Sequence, residues 1–228
     1  MHAEFYATAT SLVFLCALLA WLCARGVVRY VKERARQELP WAGGLGLAGA
    51  AMAVETVVYF GVVTVPLMDA YVFLSAAIVG ILSLGAIHVF HRRRVEQAYS
   101  GYILAACALV AIFSFLTPLP SGMVSNGVFT GNPSFLLLVL SSLVTFPATV
   151  VLLTAAAIAL RRSRRWQTLL MIAGALILGT GGTLYIASFP VALYYAEFVG
   201  IVLLFFGLVS LPHPSRTTAG TPAPGAMT

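Results

Sequence analysis

The chain has 228 residues, 61% of them hydrophobic and 9% charged, with a formal net charge of +6. A soluble domain cannot cover that much apolar surface, so the bilayer is the expected solvent. In a soluble protein the basic balance would point to nucleic acid; here the 13 Lys and Arg fall between apolar runs or in the tail, which reads as membrane topology and as no nucleic-acid partner.

Run one is Phe5 to Ala24. The N-terminal MHAEFYATATSLVFL lacks a basic leader, and Arg rather than a small-residue cleavage site follows the apolar stretch. It reads as a retained first helix rather than a signal peptide. The segment RGVVRYVKERARQELP after it mixes apolar and basic residues and is expected to be a helical extension lying at the cytoplasmic interface.

Run two is Trp41 to Val65, closed by Pro66, with Glu55 in its interior. Gly43, Gly46, Gly49 and Ala50 line its first half, and Gly46 with Ala50 forms a small-xxx-small pair expected at a close helix contact. A turn carrying Asp69 leads to run three, Tyr71 to Phe90, which ends at His91 and three arginines. Run four is Tyr102 to Leu116 and lengthens if 98–101 join it.

Thr117 to Ser134 is a long loop rich in Pro, Gly, Asn and Ser, expected to be irregular. It carries no charge and is expected to fold back over the helix ends. Run five is Phe135 to Leu160 with Pro147 inside, followed by Arg161, Arg162, Arg164 and Arg165. Proline there removes a helix donor. Run six is Trp166 to Ser188 and run seven is Val191 to Leu211. The Pro-, Thr- and Gly-rich end reads as disordered. The expected organisation is one all-α, polytopic seven-helix bundle over 1–212 with a disordered cytoplasmic tail over 213–228.

Loops one–two, three–four and five–six hold every Lys and Arg except Arg216 in the tail. The positive-inside rule then predicts an outer N-terminus, a cytoplasmic C-terminus and a multi-pass cell-membrane protein with its basic loops in the cytoplasm.

An ionisable residue inside a membrane helix is a functional candidate. Glu55 lies about ten residues from the outer end of run two, so about 15 Å deep at 1.5 Å per residue. Glu197 lies in run seven, with Tyr194 on its face; Tyr59 shares the face of Glu55, and Asp69 lies in the outer loop between runs two and three. Glu55, Glu197, Tyr59, Tyr194 and Asp69 together read as an ion- or solute-binding set in an outward-facing cavity, for a proton, a cation or a cationic solute. The bland reading makes each Glu a protonated hydrogen-bonding link between helices. A metal site from Glu55, Glu197 and Asp69, with Glu4 or His2, is a further option.

His88 and His91 flank the inner end of run three without a histidine at matching depth on another helix, which disfavours a haem. Tyr6, Tyr71, Tyr102, Trp41 and Trp166 read as an aromatic belt. Arg92, Arg93, Arg161 and Arg162 are candidates for acidic lipid headgroups at the inner leaflet. Cys16, Cys23 and Cys107 lie in apolar runs without CxxC or Cys/His spacing, so no disulfide scaffold is expected. No catalytic pair and no cofactor are expected.

Family tests narrow the field. A retinal protein needs a lysine in its seventh helix, and the sole lysine is Lys32 in a basic loop, which excludes retinal. Sugar transporters built from two three-helix repeats have prolines in helices one and five; Pro147 fits and run one has none. The motifs of intramembrane proteases are absent from the sequence. The stretch FLTPLPSGMVSNGVFTGNPSFLLLVL, a Pro-containing turn followed by an aromatic, Gly and Pro entry into the next helix, resembles the helix–loop–helix of a family of uncharacterised prokaryotic multi-pass membrane proteins. That resemblance implies a membrane bundle and carries no activity with it.

Three functional readings result. The first is a channel or transporter for protons, cations or a small cationic solute. The second is a non-catalytic subunit of a larger respiratory or oxidase-type membrane complex. The third is a lipid- or quinone-binding membrane protein. Homo-oligomerisation is compatible with each, and membrane lipid is a partner in all.

Overall fold

A computed structural model describes residues 2–33, 38–90, 92–118, 124–125, 128–129 and 134–163. It also describes 169–170, 173–174, 176–177, 199–203 and 206. Five long helices dominate: α1 (His2–Glu33), α2 (Glu38–Tyr59), α3 (Val65–Ala86), α4 (Arg93–Leu116) and α5 (Phe135–Ser163). Each is long and apolar enough to cross a membrane, and the chain is a multi-pass membrane protein. Of runs six and seven, the described residues are helical, and Ile201 is buried against Leu12, Leu15 and Leu19 of α1. Glu197, Tyr194 and the tail lie outside the described residues.

Contacts along the helices fix their directions. Gly26 meets Ala42, Gly46 meets Cys23 and Gly49 meets Leu19, so α1 and α2 run antiparallel. Gly44 lies against Leu82 and Gly85 against Trp41, so α2 and α3 are antiparallel too. Tyr99 of α4 hydrogen-bonds Ser83 of α3 at 2.7 Å, and Ile103 and Cys107 sit over Gly80. In α5, Leu137 packs on Val72 and Val144 on Gly80, so α5 runs parallel to α3. Among the described helices α3 is the most enclosed: 61% of its apolar stretch is buried, against 44% for α2 and 22% for α1, α4 and α5.

This up-and-down arrangement gathers the described cations at one end of the bundle. Arg25, Arg29 and Lys32 close α1; Arg92, Arg93 and Arg94 open α4; Arg161 closes α5. Arg92, Arg93, Arg94 and Arg161 are exposed. Arg25 stacks over Trp21, 5.4 Å from its ring centre. His88 pairs with Glu96 at 3.3 Å, in the 3-10 turn Ile87–Phe90 and the first turn of α4. Of Arg162 only the backbone, in α5, is described.

Several boundaries differ from those read in the sequence. α2 ends at Tyr59, and α3 begins at Val65 with Pro66 in its first turn. Pro66 starts a helix rather than closing one, because the first helical positions have no intrahelical use for the N–H that proline lacks. Gly61 has φ 91, the left-handed geometry that ends α2 without a Cβ clash. α4 begins nine residues before Tyr102, at Arg93. The extension of α1 is helical, as expected: it continues α1 unbroken to Glu33, with Gly26 packed on Ala42 of α2, and residues 34–37 lie outside the described ones.

The small-residue seam of α2 is also shifted. Ala42, Gly46 and Gly49 meet α1, whereas Ala50 is exposed. Gly44 packs beneath Leu82, so both contact faces of α2 are filled from within the chain. Within the loop after α4, β1 (Val124–Ser125) pairs antiparallel with β2 (Val128–Phe129). These four residues are paired where an irregular loop is expected; 119–123, 126–127 and 130–133 lie outside the described residues. The expectation that the loop folds back holds at Val124, which packs against Val58 and Tyr71 at the ends of α2 and α3.

Candidate functional site

The end of the bundle opposite the described arginines holds two buried carboxylates. Glu55 is 1% exposed and Asp69 6% exposed. Glu55 lies four residues before the end of α2, which is about 6 Å of helix. Glu55 is thus four residues from its helix end rather than the expected ten, because Phe60 to Thr64 lie outside α2. Asp69 lies in the second turn of α3 rather than in a loop.

Glu55 faces α3. The Tyr71 hydroxyl donates to its Oε1 at 2.5 Å, and both side chains are buried. Tyr71, Ile78, Leu82 and Gly85 recur at helical spacing and form the face of α3 that meets α2. Tyr71 is thus the hydrogen-bond partner of the buried acid and no member of an aromatic belt. Trp41 is likewise a packing residue, seated on Gly85. The second oxygen of Glu55, Oε2, has no hydrogen-bond partner among the described residues. A buried acceptor left so costs about 1–3 kcal/mol, more when charged.

Thr56, next along α2, faces α1: its hydroxyl donates to the Met52 carbonyl at 2.7 Å and lies 3.8 Å from Cys16 Sγ. Tyr59 is half-buried against the α1–α2 core and stacks edge-on to Phe60, with centroids 6.4 Å apart. The structure thus brings Glu55 to Tyr71, while Tyr59 packs toward α1.

Asp69 sits two residues before Tyr71, so it projects about 200° away, toward α4 and α5. Ala76, Gly80 and Ser83 continue that second face. Asp69 Oδ1 and the fully buried Ser114 Oγ of α4 have no hydrogen-bond partner among the described residues. The two acids therefore share one end of the bundle and lie on opposite faces of α3.

Sequence reasoning missed Tyr71 as a partner and Ser114 altogether. Tyr71 could have been found from the helix start signalled by Pro66, which puts it two turns into α3 opposite Glu55. Ser114 carries no comparable signal, since a lone serine in a membrane helix commonly bonds its own backbone, as Ser141 does to the Leu138 carbonyl at 3.0 Å. Among the described residues no group of three His, Cys, Asp or Glu gathers to hold a metal ion. The side chains of His2 and Glu4 lie outside the described set. No protein-family model, curated protein or solved structure matches the chain.

Proposed function

We propose that the chain is a membrane channel or transporter for protons, cations or a small cationic solute, which reach Glu55 and Asp69 from the end of the bundle opposite the arginines. The carrying observation is Glu55, buried to 1% exposure, with one oxygen held by Tyr71 and the other without a partner among the described residues. A link serving packing alone would have both oxygens bonded, because the bilayer offers no water to satisfy the second. Glu197 and Tyr194 complete the proposed site in a seven-helix bundle.

By the positive-inside rule the basic end is cytoplasmic, the N-terminus outside and the C-terminus inside. The exposed Arg92, Arg93 and Arg161 then contact acidic lipid headgroups of the inner leaflet, joined by Arg162. The subunit reading draws less support, since the glycine-lined faces of α2 that would receive a partner are filled by α1 and α3.

The test is flux into reconstituted liposomes under proton and monovalent-cation gradients. Wild type should conduct, and Glu55→Gln should lose at least tenfold while keeping its elution profile. A correctly folded wild type without flux refutes transport.

A further inference from the structure

The charge of an ionised Glu55 would have no cationic side chain to meet. No Lys, Arg or His lies in 3–24, 37–87, 95–160 or 166–212. Across the seam with α1, Thr56 Oγ1 lies 3.8 Å from Cys16 Sγ, so Cys16 is level with the Glu55 turn of α2. Cys16 is fourteen residues after His2 and nine before Arg25, which places those two about 21 Å and about 14 Å away along α1. The described basic residues of α4 and α5 stand at the opposite end of the bundle. Glu55 is 1% exposed, so bulk water does not solvate the charge either. A carboxylate buried in this way, with one hydrogen bond and no partner charge, is strongly disfavoured in its ionised form.

A bound cation or a proton would cancel that charge, and the surroundings separate the two. A hard divalent ion takes about six or more oxygen ligands. An alkali ion needs oxygens in place of its hydration shell. The Tyr71 hydroxyl donates to Oε1 at 2.5 Å, so the positive end of that O–H dipole already occupies one face of the carboxylate. Thr56 turns its hydroxyl to the Met52 carbonyl and toward α1. Val54, Val58, Met68 and Val124 pack with Tyr71 and carry no side-chain oxygen. Among the described residues no group of three His, Cys, Asp or Glu gathers to hold a metal ion. At 1% exposure Glu55 presents no surface for an organic cation to touch. A proton needs one lone pair and no ligand shell, and Oε2, without a hydrogen-bond partner among the described residues, supplies it.

We infer that the ligand of Glu55 is a proton, carried on Oε2 and exchanged with the aqueous phase at the end of the bundle opposite the arginines. Binding forms the Oε2–H bond and cancels the carboxylate charge. Release breaks that bond and hands the proton to water, and no other bond changes. Tyr71 keeps its hydrogen bond to Oε1, which makes Oε1 the carbonyl oxygen of the neutral acid. This rests on the transport reading for Glu55 as the binding group, and it narrows the species held there to a proton.

Infrared difference spectroscopy of the purified full chain in lipid vesicles reads the carbonyl stretch of a protonated carboxylic acid, which a carboxylate lacks. At neutral pH the wild-type spectrum minus that of Glu55→Gln should show this band, separated from any due to Asp69 or Glu197. Replacing water with D2O should shift it down within minutes, because the proton exchanges. Tyr71→Phe should move it to higher frequency, since the carbonyl loses its hydrogen bond; a packing role for Tyr71 would leave it in place. Exchanging sodium chloride for N-methylglucamine chloride at constant pH and ionic strength should leave it unchanged. If Glu55→Gln does not fold, the Tyr71→Phe shift of the exchanging band carries the test. No acid band from Glu55, a band that sodium removes, a band that resists deuterium, or one that Tyr71→Phe leaves in place overturns the assignment. An acid band without flux in the liposome assay would remove transport and keep the proton on Glu55; sodium flux with an ionised Glu55 would do the opposite.

Discussion

At the scale of single residues, the Glu55–Tyr71 contact is the most consequential feature. Tyr71→Phe keeps the ring in its core and removes the donor to Oε1. Stranding a buried acceptor costs about 1–3 kcal/mol. The melting temperature in detergent should fall accordingly. In a Glu55→Leu background, with no carboxylate to strand, the same substitution should cost several-fold less. Equal losses in the two backgrounds would make Tyr71 a packing residue. The acid itself was legible in the sequence, because a carboxylate inside an apolar run is rare enough to stand out. Its partner was not, because the pairing depends on where α3 starts. The residues between α2 and α3 are Phe60, Gly61, Val62, Val63 and Thr64, and the exposed Val62 and Val63 look no different in composition from helix. In a bilayer an apolar loop and an apolar helix share one hydropathy, so the boundary rested on Gly61 and Pro66 alone.

At the scale of elements, α5 shows how an interior proline is accommodated. An α-helical carbonyl accepts from the N–H four residues on. For Leu143 that residue is Pro147, which has none. The Tyr102 hydroxyl of α4 donates to the Leu143 carbonyl instead, at 2.7 Å. The one bond satisfies both a carbonyl that proline orphans and a tyrosine hydroxyl on an exposed position. Tyr102→Phe should destabilise by about 1 kcal/mol. In the Pro147→Ala background, where the helix N–H returns, the same change should cost a small fraction of that. A melting-temperature double-mutant cycle measures the coupling, and additivity would show that the two residues are independent. The sequence announced five of these elements through their length and hydropathy, and Pro147 was visible as a break in donors. The compensating hydroxyl was not, because Tyr102 at a run end looks like any interfacial aromatic. The pairing of Val124–Ser125 with Val128–Phe129 was missed, although Asn126-Gly127 in the sequence between them is a strong turn signal.

At the scale of the whole molecule, the alternation of basic and cation-free connections agrees with helix directions obtained independently from packing. On the proposed orientation, a membrane-impermeant maleimide applied to intact cells should label Thr64→Cys, in the connection after α2, and leave Arg94→Cys unlabelled. The background would have Cys16, Cys23 and Cys107 replaced by alanine. The reverse labelling would invert the proposed topology. Charge pattern was readable from the sequence because it needs no contacts. The enclosure of α3 was not, since its apolar composition resembles that of its neighbours, and only packing shows which helix is most enclosed.

That enclosure sets an order of events during synthesis. α2 can cover the Tyr71 face of α3 as soon as both have left the ribosome, since they are consecutive and antiparallel. The Asp69 and Gly80 face has no cover until α4 and α5 follow. For that interval a carboxylate and a glycine notch stand open to lipid or to the insertion machinery. Chains begin to fold from the N-terminus while they are still being made. Nascent chains halted before α5 therefore leave the Gly80 notch without Val144, which fills it in the finished bundle.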